Sequence, residues 1–166
     1  MTDQMNLGLI LQFTALLILA NGSPVLAKGM FGKRFSYPLD AGLIMSDGQP
    51  LFGPSKTIRG VLAAVAVTSI GAGLIGPSAA IGALLGVTAM VGDLISSFIK
   101  RRFGLSTSSR ATLLDQVPEC LLPLLACSYF VPLGVLDIVL TVVIFVVGEI
   151  ILSPLLYSAR IRDEPY

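Results

Sequence analysis

The chain has 166 residues, of which 54% are hydrophobic and only 13% are charged, and its formal net charge is +1. A soluble domain usually has about a quarter charged residues, and one of roughly this length could not hide so much apolar surface from water. The composition therefore excludes a soluble globular, a disordered and a disulfide-rich secreted protein, and the small net charge excludes a broad surface for nucleic acid.

Five hydrophobic runs follow one another along the chain. They cover residues 7–27, 61–75, 79–99, 112–131 and 133–157. A membrane-spanning helix needs about 20 apolar residues, and each run is close to that length. The runs predict an all-α, polytopic protein of the cell membrane, with five transmembrane helices in a single domain over residues 1–166.

The basic residues predict how the five helices are oriented. All 11 Lys and Arg residues fall between runs one and two, between runs three and four, or after run five. Because cytoplasmic loops are enriched in Lys and Arg, the N-terminus is expected outside and the C-terminus in the cytoplasm. Both long loops, 28–60 and 100–111, are then cytoplasmic.

Small residues recur at helical spacing in the third run. Ser78, Gly82 and Gly86 are four residues apart and therefore share one face of the predicted helix. Such a stripe lets two membrane helices approach closely, and we interpret it as packing of the scaffold.

Acidic residues lie inside three of the apolar runs. Asp93 is in the third run, Asp115 and Glu119 open the fourth, and Glu149 is in the fifth. A charge at the bilayer centre costs about 2.5 kcal/mol or more, so each acid needs a partner, a metal ion or water. In the predicted topology the acids of runs three and four lie at the cytoplasmic ends of their helices, and Glu149 lies nearer the inner face than the outer.

Polar residues from other segments are expected in the same layer. They come from the predicted cytoplasmic end of helix one, the entry to helix two and the end of helix three: Asn21, Ser23, Pro24, Lys56, Thr57, Arg59, Ser96 and Ser97. This convergence predicts a site at the cytoplasmic face, which solutes enter from water and lipids enter from the bilayer.

The residue types in this layer indicate its chemistry. The chain has no His, which excludes His-dependent nucleophilic catalysis and His-Cys zinc sites. Carboxylates without His favour Mg²⁺, and neighbouring Lys and Arg suit phosphate oxygens. Together they are typical of phosphoryl or nucleotidyl transfer, which needs charge neutralisation and positioning more than a general base.

Other interpretations of the same residues stay open at this point. The Lys100–Arg102 cluster could be a positive-inside anchor, and Asp115 with Glu119 could favour the N-terminus of a helix. Five helices with buried carboxylates could also form a cation-coupled transporter or channel subunit. Acids crowded at one face, opposite nearly uncharged connections, disfavour transport.

The motifs around these residues resemble a known family. The run GDLISSFIKRRFG at 92–104, followed by LDQ at 114–116, is similar to the signature region of the CDP-diacylglycerol synthase superfamily. The short five-helix form resembles its archaeal branch, the CDP-archaeol synthases. Further matches are NGSPV at 21–25, PLD at 38–40, DG at 47–48 and GPSKTIRG at 53–60, so the resemblance covers nearly the whole chain.

The resemblance implies an activity and a set of site residues. The family transfers CMP from CTP to the phosphate of an isoprenoid glycerol ether lipid, releases pyrophosphate and requires Mg²⁺; a related alternative is another CTP-using polyprenyl-lipid enzyme. Asp93 and Asp115 would be metal ligands, with Lys100 as a further catalytic group. The residues implied to bind substrate are Asn21, Lys56, Thr57, Arg59, Ser97, Arg101 and Gln116.

The chain departs from the family pattern at one position. The family usually has a second acid three residues after the Asp of LDQ, whereas this chain has Pro118 there and Glu119 next. Either Glu119 supplies a further metal contact from the adjacent position or that contact is lost.

Overall fold

Each predicted run forms one helix. The computed structural model describes residues 5–105 and 112–158, and within those ranges the chain forms five α-helices and no β-strand. The helices are α1 (Leu7–Phe31), α2 (Ile58–Ile75), α3 (Ala79–Arg102), α4 (Thr112–Ser128) and α5 (Val135–Ser158). The all-helical prediction is confirmed for this part of the chain.

The helices α1, α2, α3 and α5 are each long and apolar enough to cross a bilayer, whereas α4 does not reach that length within the described residues. It has 17 residues and contains two prolines and the acids Asp115 and Glu119. The protein is therefore a multi-pass membrane protein, and the crossing by α4 stays a prediction.

Helix α1 is longer than the sequence suggested. We expected it to end near Asn21 to Pro24, but it continues through Pro24 to Phe31 and stops at Gly32, whose φ is +55°. A proline removes one backbone hydrogen bond, and in α1 the turns on either side remain helical. The Asn21 amide donates to the Leu17 carbonyl oxygen at 3.1 Å, so this polar residue sits inside the helix without ending it.

Glycines bring α2 and α3 into backbone contact. A Cβ placed on Gly82 would overlap the Thr68 carbonyl oxygen, and one on Gly86 would lie 2.9 Å from the Cα of Val65. The prediction that this stripe packs the scaffold is confirmed for both glycines. Ser78, the third member of the stripe, instead caps α3 by accepting a hydrogen bond from the Ile81 N–H.

The core joins all five helices, and Asp137 ties two of them together where they begin. Phe13, Leu85, Leu124 and Phe145 are among the fully buried side chains of the shared core. At the start of α5, the Asp137 carboxylate accepts hydrogen bonds from the N–H groups of Asn6 (2.8 Å) and Gly134 (3.1 Å). Asp137 therefore lies at the opposite end of the bundle from the acids of α3 and α4.

Candidate active site

An ion pair joins the loop before α2 to the inside of α3. The Nζ of Lys56 lies 2.5 Å from Oδ1 and 2.6 Å from Oδ2 of Asp93, and both side chains are about one-fifth exposed. Burial alone would lower the pKa of Lys56, but the carboxylates of Asp93, Glu119 and Asp115 outweigh it and raise that pKa above its ordinary value. The ammonium is therefore charged and faces a concentration of negative charge.

A second ion pair joins α3 to α4. Lys100 is two turns after Asp93 on α3, and its Nζ lies 2.8 Å from Oδ1 of Asp115. The Lys100 side chain is only 10% exposed, so this pair is shielded from solvent and held more firmly than a surface salt bridge. The two lysines and two aspartates thus form adjacent pairs at one end of the bundle.

Glu119 faces Asp93 across the α3–α4 contact. Its carboxyl is within hydrogen-bonding reach of the Asp93 carboxylate. Gly92 makes this approach possible because a Cβ there would overlap the Pro118 carbonyl oxygen. The two acids that the sequence placed in separate runs are therefore direct neighbours.

Ser96 fastens the same contact. Its hydroxyl donates to the Gly92 carbonyl oxygen at 3.0 Å and reaches the Asp115 carbonyl oxygen at 3.4 Å. The sequence placed Ser96 in the polar layer but gave it no role. In the structure it fixes the start of α4 against α3, one turn after Gly92.

Several other predicted site residues make contacts of their own. Arg59 donates from Nη1 to the carbonyl oxygens of Gly32 and Arg34, at 2.9 and 2.6 Å, and thereby holds the end of α1. The Thr57 hydroxyl caps α2 by accepting from the Gly60 N–H. Arg101 donates to the Leu105 carbonyl oxygen. For these three residues a role in substrate binding stays a prediction.

Three further predicted residues differ in what surrounds them. Ser97 is buried on α3, and the Oε1 atom of Gln116 is buried without a hydrogen-bond partner among the described residues. Asn21 is half-buried inside α1.

Glu149 is on α5, which packs against α1 and α4. Arg110, Arg160 and Arg162, which supported the orientation, lie outside the described residues.

The structure adds contacts that the sequence did not reveal. Arg102 stacks over the Phe98 ring with its guanidinium carbon 5.1 Å from the ring centroid. It also binds Asp47 at 3.0 Å and the Pro50 carbonyl oxygen at 2.7 Å, which fastens the loop between α1 and α2 to the end of α3. Only its place in a Lys-Arg-Arg cluster hinted at such a role.

The acids suit a hard cation by their chemistry. Asp93 and Glu119 are neighbouring oxygen donors, and two facing carboxylates repel each other unless a positive charge such as that of Lys56 lies beside them. Asp115 is close enough to interact electrostatically with Glu119. Within residues 5–105 and 112–158, however, no three such side chains surround one point, and each of the two aspartates is paired with a lysine. By residue type, the oxygen donors are those that Mg²⁺ prefers.

Comparison with known proteins agrees with this architecture. The profile of the CarS-like family, CDP-archaeol synthase, matches residues 73–166. The chain is 33% identical over 160 residues to the CDP-archaeol synthase of Staphylothermus marinus, covering 89% of this chain and 86% of that one. It is 31% identical to the CDP-archaeol synthase of Sulfolobus acidocaldarius, covering 96% and 97%.

A solved structure is also similar over most of its length. It is described as an intramembrane enzyme for archaeal membrane lipids biosynthesis, and it matches with a TM-score of 0.67 and 27% identity over 92% of each chain. The fold and the sequence motifs therefore point to the same relatives.

Proposed function

The chain belongs to the CDP-archaeol synthase family, and we propose that it transfers CMP from CTP to the phosphate of an isoprenoid ether lipid at the Asp93–Lys56 and Lys100–Asp115 pairs. It is a membrane cytidylyltransferase that makes CDP-archaeol. In this reaction an oxygen of the lipid phosphate attacks the α-phosphorus of CTP, the bond to the β-phosphate breaks, and pyrophosphate leaves.

The observation that carries the site assignment is the pairing of two lysines, Lys56 partly buried and Lys100 buried, with two aspartates. Lys56 and Lys100 come from different segments, yet both place an ammonium group against a carboxylate in the same cluster. The triphosphate of CTP carries more total negative charge than a single carboxylate, and Lys binds phosphate as a point charge. We expect the lysines to exchange carboxylate for phosphate oxygens and thereby orient the nucleotide.

The carboxylates released by that exchange are the groups that would hold Mg²⁺. Asp93 would be one ligand, because Glu119 lies beside it and Lys56 is paired with it. Asp115 and Glu119 would add oxygen donors from one face of α4. When bound, Mg²⁺ supplies charge neutralisation for the phosphate oxygens.

The lipid phosphate needs no proton removed by the protein. A phosphate monoester is already ionised near neutral pH, since its second pKa is about 6. The protein has to hold the lipid phosphate in line with the α-phosphate of CTP against their mutual repulsion. The cationic side chains of the cluster reduce that repulsion. This explains why a site without His is sufficient.

We place this site on the cytoplasmic side of the membrane. Lys28, Lys56 and Lys100 lie in the loops or helix ends on the side of the bundle that holds the cluster, in agreement with the positive-inside rule. The same orientation puts the N-terminus outside and the C-terminus inside, and it requires α4 to cross the membrane in addition to the other four helices. CTP then reaches the cluster from the cytosol and the lipid reaches it from the inner leaflet.

An isotope assay with purified protein tests the activity. Protein in detergent is incubated with Mg²⁺, an isoprenoid ether-lipid phosphate and CTP labelled at either the α- or the γ-phosphate. Nucleotidyl transfer puts the α-label in the lipid fraction and the γ-label in pyrophosphate. Label from the γ-phosphate in the lipid would instead identify a lipid kinase and contradict the proposal.

A further inference from the structure

The carboxylate of Asp40 is enclosed by main-chain N–H groups of the loop between α1 and α2. Its Oδ1 accepts from Gly42, and its Oδ2 accepts from Phe52 and Gly53, each at 3.0 Å. Gly42 and Gly53 have φ angles of +79° and +99°, which non-glycine residues rarely adopt. The loop is therefore folded around one charged side chain.

The hydrogen bonds continue from Asp40 to both sides of the Lys56 main chain. The Gly53 carbonyl oxygen accepts from the Lys56 N–H at 3.2 Å, and the Lys56 carbonyl oxygen accepts from the Leu39 N–H at 2.7 Å. Gly53 is a direct partner of Asp40, and Leu39 precedes it in the chain. The backbone of Lys56 is thus held from two directions by the residues that Asp40 organises.

We propose that Asp40 is a positioning residue that sets the Lys56 ammonium against Asp93. The side chain of Lys56 has several rotatable bonds, so its ammonium reaches one place reliably only if the main chain is fixed. The main chain of Lys56 belongs to the last loop residues before α2, where loop hydrogen bonds and the Thr57 cap hold it. The inference rests on the proposed function, because it concerns how that site holds CTP.

A double-mutant cycle separates positioning from general support of the fold. The dissociation constant of radiolabelled CTP is measured for wild type, Asp40→Asn, Lys56→Ala and the double variant. Asn keeps the shape of Asp but removes the charge and one acceptor, so we expect CTP binding to weaken about tenfold in the native background. In the Lys56→Ala background the same change should have little further effect, since there is no ammonium left to position.

Two more variants make the cycle decisive. Asp47→Asn is the matched control, because Asp47 is an acid of the same loop that accepts a main-chain N–H, from Gln49, at 3.1 Å, and its other partner is Arg102 and not the Lys56 main chain. Its effect on CTP binding should be small and the same with or without Lys56. Gly53→Ala strains the peptide that Asp40 holds but leaves Asp40 in place. The weakening of CTP binding that it causes should likewise disappear in the Lys56→Ala background.

Size-exclusion profiles and melting temperatures show which variants fold. If Asp40→Asn aggregates, Gly53→Ala decides the question. If Asp40→Asn or Gly53→Ala weakens CTP binding equally in the native and the Lys56→Ala backgrounds, the positioning role is overturned. The proposed activity is not affected by that result. A wild-type protein that fails the isotope assay counts against the proposed function itself, so the two failures are distinguishable.

Discussion

Gly92 of α3 lies directly against the main chain of Glu119 in α4, where an added Cβ would be only 2.9 Å from the Cα of Glu119. No real Cβ tolerates that separation from a backbone atom, so a side chain at position 92 must push the two helices apart. The residue next to Gly92 is Asp93, whose carboxylate meets that of Glu119. The absence of a side chain at Gly92 therefore sets the distance between α3 and α4 at the site.

We expect Gly92→Ala to impair both stability and activity. Overpacking of a tight contact typically costs about 1–3 kcal/mol, and the outward shift of α4 should also separate Glu119 and Asp115 from α3. Gly148→Ala is the matched control, because a Cβ on Gly148 in α5 meets nothing within 4 Å. Melting temperature and CMP transfer should both fall for Gly92→Ala and stay near wild type for Gly148→Ala. Similar values for the two variants would show that the α3–α4 spacing is not critical.

Substitution of the acids should distinguish the two ends of the bundle. Asp93→Asn and Asp115→Asn are expected to lower turnover about a hundredfold or more while the protein stays folded, because each removes a negative partner of the site. Asp137→Asn should cost about 1–2 kcal/mol of stability with little loss of turnover, since its partners among the described residues are main-chain N–H groups where α1 and α5 begin. Turnover close to wild type for Asp93→Asn or Asp115→Asn would contradict their assignment.

Glu119 should affect the metal requirement of the enzyme. If it shares Mg²⁺ with Asp93, then Glu119→Gln raises the Mg²⁺ concentration for half-maximal activity more than it raises the CTP requirement. The test is a Mg²⁺ titration of wild type and variant at saturating CTP. Superimposable titration curves would remove Glu119 from the metal site and leave Asp115 as the sole ligand from α4.

Acid should selectively weaken the loop around Asp40. Burial tends to raise the pKa of Asp40, but three main-chain N–H donors hold it below the ordinary value of 3.8. The unfolded chain therefore binds the proton more readily, so Asp40 stabilises the fold fully above pH 3.8 and progressively less as pH falls through its lower folded pKa. The melting-temperature gap between wild type and Asp40→Asn should be constant near neutral pH and shrink below about pH 4. A gap that does not change with pH would mean that the Asp40 charge is not what holds the loop.

Reporter fusions test the orientation. A reporter after Tyr166 should be cytoplasmic and one at Met1 should be external, because the basic loops alternate in that way. Reporters at both ends on the same side would mean that α4 does not cross the membrane. A C-terminal reporter outside would place the site on the other face.

The sequence was sufficient for the helices because lipid imposes a simple requirement. Every backbone polar group in the bilayer needs an internal partner, so an apolar run of adequate length becomes a helix. The alternation of basic loops then brought Asp93, Asp115 and Glu119 into one predicted layer, and the structure places them together. The predicted end of α1 was wrong. Asn21 and Pro24 are typical of a helix boundary, but the Asn21 amide has its hydrogen-bond partner within the helix.

The loop contacts could not be derived in the same way. Asp40 binds residues 12 and 13 positions away, and Arg102 reaches Pro50 from 52 positions away. Such pairs depend on the conformation of an irregular loop, which hydrophobic periodicity does not describe. The partner of Lys56 was undetermined for the same reason, although its presence in the polar layer was expected.

The position of Asp93 along α3 has a consequence for the membrane itself. Nine residues separate it from Arg102, which at about 1.5 Å per residue puts its Cα roughly 13 Å below the end of the helix. If the end of α3 lies at the level of the headgroups, the Cα of Asp93 is deeper than the phosphate of a resting lipid. Transfer would then need the lipid phosphate to move inward along α3 or the bilayer to thin beside it. We therefore expect turnover to depend on the thickness of the surrounding bilayer as well as on the lipid's own chemistry.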